Sequence, residues 1–247
     1  MKYKLYLLST LLVLLLGHTS FAADLFVFAG AGMRVPLTEL GQNFTEETGI
    51  KVIYDFAGSG RLGGKILLGV KPDLFIPGSE KWALKLKQEG YVKECIAIAY
   101  HTPVLISPRG NHKVKSLNDL TNKAYKIALG DGEACAIGRN NKRMFQAAGL
   151  DPAEMNVVAR GVSVKQLVQW VEAGTVDASI VWRADAIQSG QVEVVELPAS
   201  INPIDSIPLC QMTQPSNSKE AFMFWKYLFE NSATVFLKHG FQTIELK

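Results

Sequence analysis

Four short loops hold the residues best placed to do chemistry: 30–33, 57–61, 130–139 and 161–164. In each, a run expected to be a strand ends, small residues follow and a helix begins. The first turn of a helix leaves backbone N–H groups without intrahelical partners and carries the positive end of the helix dipole, which makes it a natural anion site. Ser59 adds a hydroxyl donor to the second loop. One such loop is an ordinary connection; four that converge form a pocket of donors with little counter-charge. Asp131 and Glu133 are the conspicuous carboxylates here, and both are expected to face solvent or cap turns. A donor-only pocket suits an oxyanion already deprotonated at neutral pH, whereas a protonated phosphate asks for an acceptor. Cys135, inside the third loop, is either a small buried residue or a thiol facing the pocket, open to a soft metal or an arsenic oxyanion.

Other chemistries find less support. Gly58-Ser59-Gly60-Arg61-Leu62-Gly63 matches the GxGxxG dinucleotide pattern, but six residues of glycine spacing are a weak signal. Gly64-Lys65 resembles the end of a phosphate-binding loop, yet Ile66 stands where Ser or Thr must ligate magnesium. The histidines, His18, His101, His112 and His239, are scattered, and neither HExxH nor a GxSxG nucleophile elbow is present. A secreted hydrolase would have to assemble a triad from distant residues, for example Ser59 with His101. Three cysteines without CxxC spacing argue against a zinc ribbon or a thioredoxin-like centre. The expectation is therefore no cofactor, no resident metal and no catalysis.

Residues 1–22 read as a secretory signal peptide: Lys2 and Lys4, an apolar stretch from Leu5 to Leu16, then Ser20-Phe21-Ala22 at the cleavage point. That stretch is shorter than the roughly 20 residues needed to span a bilayer. The exported chain is then expected to be soluble, periplasmic or otherwise outside the cytoplasm. The whole chain carries a formal charge of +3, and two of its lysines leave with the leader. Such a balance offers no broad basic surface for nucleic acid. At 48% hydrophobic, the 247 residues can bury a sizeable core.

The loops are expected to be positioned by strands alternating with helices, which implies parallel or mixed sheets flanked by helices, an α/β fold. Residues 25–29, 51–56 and 73–76 read as strands. Leu37, Leu40 and Phe44 recur at helical spacing, with Gly49 in the left-handed closing position. Ser79 is placed to cap the helix that carries Trp82, Leu84 and Leu86. The alternation resumes with strands at 125–129, 156–160 and 178–182 and helices at 138–148 and 164–173, the last capped by Ser163 and ended by Gly174. The proline-rich stretch 198–208 is expected to be a connection. A long C-terminal helix from Ser218 is expected to bury Phe222, Trp225, Leu228 and Phe229.

These segments resemble the molybdate- and tungstate-binding components of bacterial ABC importers, within the type II periplasmic binding proteins. The resemblance is carried by LFVFAGAGM at 25–33, FTEETGIKVIYDFAGSGRLGGKI at 44–66, KPDLFIPGSEKW at 71–82, IALGDGEACAIG at 127–138 and ASIVWRADAI at 178–187. It implies two lobes, residues 24–105 plus 205–247 and residues 106–204, each a mixed sheet flanked by helices, closing by a hinge on ligand in the cleft between them. It implies a monomer that captures a small oxyanion, molybdate or tungstate, and delivers it to a membrane ABC permease. The matching positions are Gly32 and Ser59 in the first lobe, and the backbone N–H groups of Ile137 and Val164 with the Trp182 side chain in the second. Gly32 stands where the family usually has serine and Trp182 where it has tyrosine. Arg34, Arg61, Arg139 and Arg183 adjoin the site, and Arg61 or Arg183 entering it would favour another anion: sulfate, phosphate, an arsenic oxyanion or a small carboxylate. A sensor that presents its ligand to a receptor is the remaining alternative. Cys95 and Cys210 flank the two crossovers, where a disulfide is chemically open.

Overall fold

The computed structural model describes residues 24–78, 80–133 and 136–243. The leader, the cap at Ser79 and Cys135 lie outside the described residues. In chain order the elements are β1 (Leu25–Gly30), α1 (Arg34–Thr48), β2 (Val52–Ala57), α2 (Ser59–Leu67), β3 (Leu74–Ile76), α3 (Glu80–Gln88), β4 (Val92–His101) and β5 (Pro103–Pro108). Then follow β6 (Ile127–Gly130), α4 (Ala136–Ala148), β7 (Val157–Gly161), α5 (Val164–Glu172), β8 (Ala178–Trp182), α6 (Arg183–Ser189), β9 (Val192–Glu196), β10 (Asp205–Met212), α7 (Ser218–Lys238) and β11 (Gln242–Thr243). They build two mixed sheets, ordered β11-β4-β10-β3-β1-β2 and β7-β6-β8-β5-β9. The result is a two-lobed α/β protein.

Both faces of the first sheet are covered, and the pleat shows why its strands read as unbroken apolar runs. Leu25, Val27 and Ala29 point into a core with Leu37, Leu40 and Phe44 of α1 and Phe224, Leu228 and Phe236 of α7. Phe28 and Phe75 point the other way, onto Leu62 and Ile66 of α2 and Leu86 of α3. Gly49 closes α1 at φ 74°, as its spacing predicts. The last glycine of the GxGxxG stretch has a packing role: a Cβ on Gly63 would lie 2.2 Å from the Trp82 ring, so the glycine lets α2 lie against α3.

Two expectations need correction. In α7 the buried stripe is Ala221, Phe224, Leu228, Ser232, Val235 and Phe236, which includes Leu228 as expected but not Phe222, Trp225 or Phe229. Phe222 is 56% exposed, and Trp225 and Phe229 are half-buried. The helix carries two aromatic rows about 100° apart, and the position of α1 selects the row containing Phe224, whose ring lies 4.7 Å from that of Phe44. Residues 198–208 are also more than a connection, since β10 starts at Asp205. It tolerates Pro208 because its pairing with β4 shifts register between Ile207 and Pro208. The disulfide left open by the sequence is formed: Cys95 and Cys210 sit directly opposite each other inside the β4–β10 ladder, with Cα atoms 4.1 Å apart, so the link lies within one sheet.

Candidate functional site

The loops of the first sheet gather at the carboxyl ends of its three parallel strands. Gly30 and Ala57 are partners at the ends of β1 and β2, and β3 ends beside them. Gly32 is exposed in the short 3-10 turn Ala31–Met33. Ser59 opens α2, and its Oγ accepts a hydrogen bond from Gly78 N at 2.9 Å, which leaves the hydroxyl proton free to donate.

The loops of the second sheet gather in the same way. Gly130 and Gly161 are partners at the ends of parallel β6 and β7, and Asp131 N donates to Gly161 O. Ile137 lies in the first turn of α4 and Val164 in the first turn of α5. Gln166 N donates to Ser163 Oγ while Gln166 Oε1 accepts from Val162 N, a reciprocal cap that takes the third N–H of α5 and leaves those of Val164 and Lys165 outside it. Asp131 Oδ1 accepts from Glu133 N, so this carboxylate shapes the turn as its sequence context suggests. Trp182 ends β8, which pairs in parallel with β6.

The two edges meet where the chain crosses between sheets. Trp182 pairs with Pro103, and Arg183 N donates to Thr102 O. His101, the last residue of β4, lies between the Trp182 ring at 5.1 Å and the Phe241 ring at 5.6 Å. A Cβ on Gly78 would lie 3.4 Å from His101 Nε2 and 3.7 Å from Ser59 Oγ, and one on Gly32 would lie 3.6 Å from His101 Cε1. Gly32, Ser59, Gly78, His101 and Trp182 therefore form one cluster. The imidazole is only 8% exposed, and burial pushes its pKa down to about 4 against a weaker opposing pull from Asp205, so it is neutral at pH 7. Asp205 itself is ion-paired with Arg143.

His101 is the site residue that sequence reasoning missed. The available signal was positional: a histidine two residues before Pro103, where a strand must end and the chain crosses over. The pairing of Ser59 with His101 raised for a hydrolase does bring both residues to one place, but His101 Nδ1 is buried without a hydrogen-bond partner. Among the described residues no carboxylate bonds to the ring as a triad requires.

Three of the four arginines are engaged outside this cluster. Arg183, considered as a ligand contact, has Nε on Glu196 Oε1 at 2.7 Å and Nη1 on Gly240 O at 2.8 Å, which braces the second sheet against the C-terminal segment of the first. Arg34 lies over the Phe56 ring, and Arg139 donates to Glu133 O. Arg61 is exposed on the first turn of α2.

Two sheets whose parallel strand ends face a shared junction, lined by donors and crossed twice by the chain, define a type II periplasmic binding protein. The chain belongs to the family of bacterial extracellular solute-binding proteins, whose pattern it matches over residues 25–242. It is 30% identical over 223 residues to YvgL of Bacillus subtilis, assigned by name as an ABC transporter substrate-binding lipoprotein, covering 88% of this chain and 85% of that one. It is 24% identical over 225 residues to the molybdate-binding protein ModA of Escherichia coli, covering 87% of each. Among solved structures, a substrate-binding domain from Clostridium difficile, assigned by name to a molybdenum ABC transporter, superposes with a TM-score of 0.81 at 23% identity, over 90% of this chain and 100% of that one. PEB3 with bound L-phospholactate shares the fold with a TM-score of 0.71 at 19% identity, over 90% of this chain and 100% of that one.

Proposed function

We propose that this chain is exported by its leader, captures a tetrahedral oxyanion, molybdate or tungstate, in the cleft between its sheets, and hands it to a membrane ABC permease without chemical change. The observation that carries this reading is the cluster of Gly32, Ser59, Gly78, His101 and Trp182 at the junction of two sheet edges that both end in helix starts. Two groups that could carry charge into it do not: the imidazole is neutral, and Arg183 is held by Glu196 and Gly240. A dianion is then held by neutral donors, Ser59 Oγ, the Trp182 indole N–H and the first-turn N–H groups at Ile137 and Val164, in a site that excludes water. No helix among the described residues is long and apolar enough to cross a membrane, consistent with delivery to a separate permease.

The relatives named for molybdate support the ligand class. A specific observation favours a second reading, a small carboxylate: the wall at Trp182 and His101 is broad and aromatic, and PEB3 holds L-phospholactate in the same fold. A thermal-shift series on the chain starting at Ala23 separates the two. Because ligand bound only to the folded state at 100 times its Kd adds about 2.7 kcal/mol, molybdate or tungstate should raise Tm by roughly 5–10 °C in a chain of this size. Silence with both, together with a shift from sulfate, phosphate, arsenite or a small carboxylate, reassigns the ligand. Ser59→Ala should weaken the bound oxyanion by about 1.5–3 kcal/mol, the worth of a hydrogen bond to a charged group.

A further inference from the structure

We propose that His101 is a direct ligand contact, donating from Nε2–H to the bound anion at the base of the cleft. The inference rests on the oxyanion reading above and adds to it a side chain from outside the four donor loops.

Three observations carry it. First, the ring is fixed: it is held between Trp182 of the second sheet and Phe241 of the first, so it lies where closure of the lobes is felt. Second, the two nitrogens have different surroundings. Nδ1 is buried and has no partner, while Nε2 lies beside the gap into which Gly78 and the Ser59 hydroxyl open. A buried N–H without an acceptor is rarer and more costly than a bare nitrogen lone pair, so the proton belongs on Nε2. Third, Gly32 contributes no side chain at this point, and the imidazole edge occupies the adjoining space, with Cε1 3.6 Å from where a Cβ would stand. Asp205, the charged group acting on the ring among the described residues, is already paired with Arg143 and does not bond to the imidazole, so the tautomer is not set by a carboxylate.

The role assigned is donor, not counter-ion. A neutral imidazole gives one directed hydrogen bond and rejects a group that also needs to donate at that point. His101 thereby favours fully deprotonated oxygen over a hydroxyl, a basis for preferring molybdate to monohydrogen phosphate.

The test uses the chain starting at Ala23, labelled with 15N-histidine, and molybdate as the probe. In the ligand-free protein the His101 signals, assigned by their loss in His101→Gln, should show the Nε2–H tautomer, and molybdate should shift the Nε2 resonance. By calorimetry, His101→Phe, which keeps the ring packing, should bind molybdate at least tenfold more weakly. His101→Gln, which keeps a donor, should lose less. An Nδ1–H tautomer, or equal molybdate binding by wild type and His101→Phe, overturns the proposal while leaving the oxyanion reading intact. Absence of binding by wild type to molybdate, tungstate, sulfate and phosphate overturns both. If His101→Phe does not fold, the wild-type tautomer and its response to molybdate decide the matter alone.

Discussion

The two sheets bring different parts to the cleft. The first presents side chains and the gaps between them: the Ser59 hydroxyl, the His101 ring, and glycines at 32 and 78 that leave room. In the proposed site the second presents the first turns of α4 and α5 plus one aromatic ring, Trp182. Their chain paths differ too. All strands of the second sheet lie between residues 103 and 196, whereas the first sheet is closed by β10 and β11 returning from beyond it. The disulfide joins the two strands through which the chain leaves the first sheet and returns to it. This contrast teaches that the first sheet is assembled from chain segments on both sides of the second and is stapled across them, while the second is one continuous excursion between β4 and β10.

The sharpest way to break that comparison is to remove the staple. The bond spans 115 residues, so Cys95→Ala with Cys210→Ala should cost about 4–5 kcal/mol by the loop-entropy account, read from urea unfolding with and without reductant. Hydrogen exchange should show the loss spread across both sheets, because the link closes the loop that contains the second.

Next come matched core truncations. Leu40→Ala in the first lobe and Leu167→Ala in the second each remove a fully buried side chain and should cost about 2–5 kcal/mol. Sub-global exchange should rise in the second sheet alone for Leu167→Ala. Equal loosening of both sheets would erase the proposed asymmetry. A smaller effect, about 1–3 kcal/mol, is expected for Gly63→Ala, where the new methyl meets the Trp82 ring, measured by thermal unfolding.

The smallest effect is in pH. Each region holds a desolvated group with a large shift, and the two oppose each other. His101 has its pKa lowered to about 4, so the unfolded chain binds the extra proton between that value and 6.5. Its contribution is complete above pH 6.5 and is lost as pH falls towards 4. Asp185, on the first turn of α6, is pushed by desolvation up to about 6, so its contribution is present below its ordinary value of 3.8 and lost as pH rises through 6. Between pH 4 and 6 the slopes partly cancel. Asp185→Asn should therefore steepen the fall in stability on acidification, and His101→Phe should flatten it, both read from urea midpoints across that range.

Much of this architecture was legible locally. The strand at 178–182, the cap at Ser163, the closing turn at Gly49 and the stripe of Leu37, Leu40 and Phe44 follow from short-range rules, and each has that form in the structure. The four donor loops were also readable, because a strand end followed by small residues and a helix start is a local pattern. What stayed hidden depended on partners distant in sequence. Phe222 and Phe224 are equivalent to any helical count, and only the packing of α1 against α7 buries the second. Arg183 reads as a cleft candidate until Glu196 and Gly240 take its guanidinium.

The sequence by itself determined that this is an α/β chain with several anion-competent helix starts, because caps, glycines and apolar periodicity act over a few residues. Only the tertiary structure decided which of them share an edge, that Cys95 faces Cys210, and that a histidine read as scattered stands at the base of the cleft. The reason is physical: His101 is neutral, desolvated and aimed only because Trp182, 81 residues away, and Phe241, 140 residues away, enclose it.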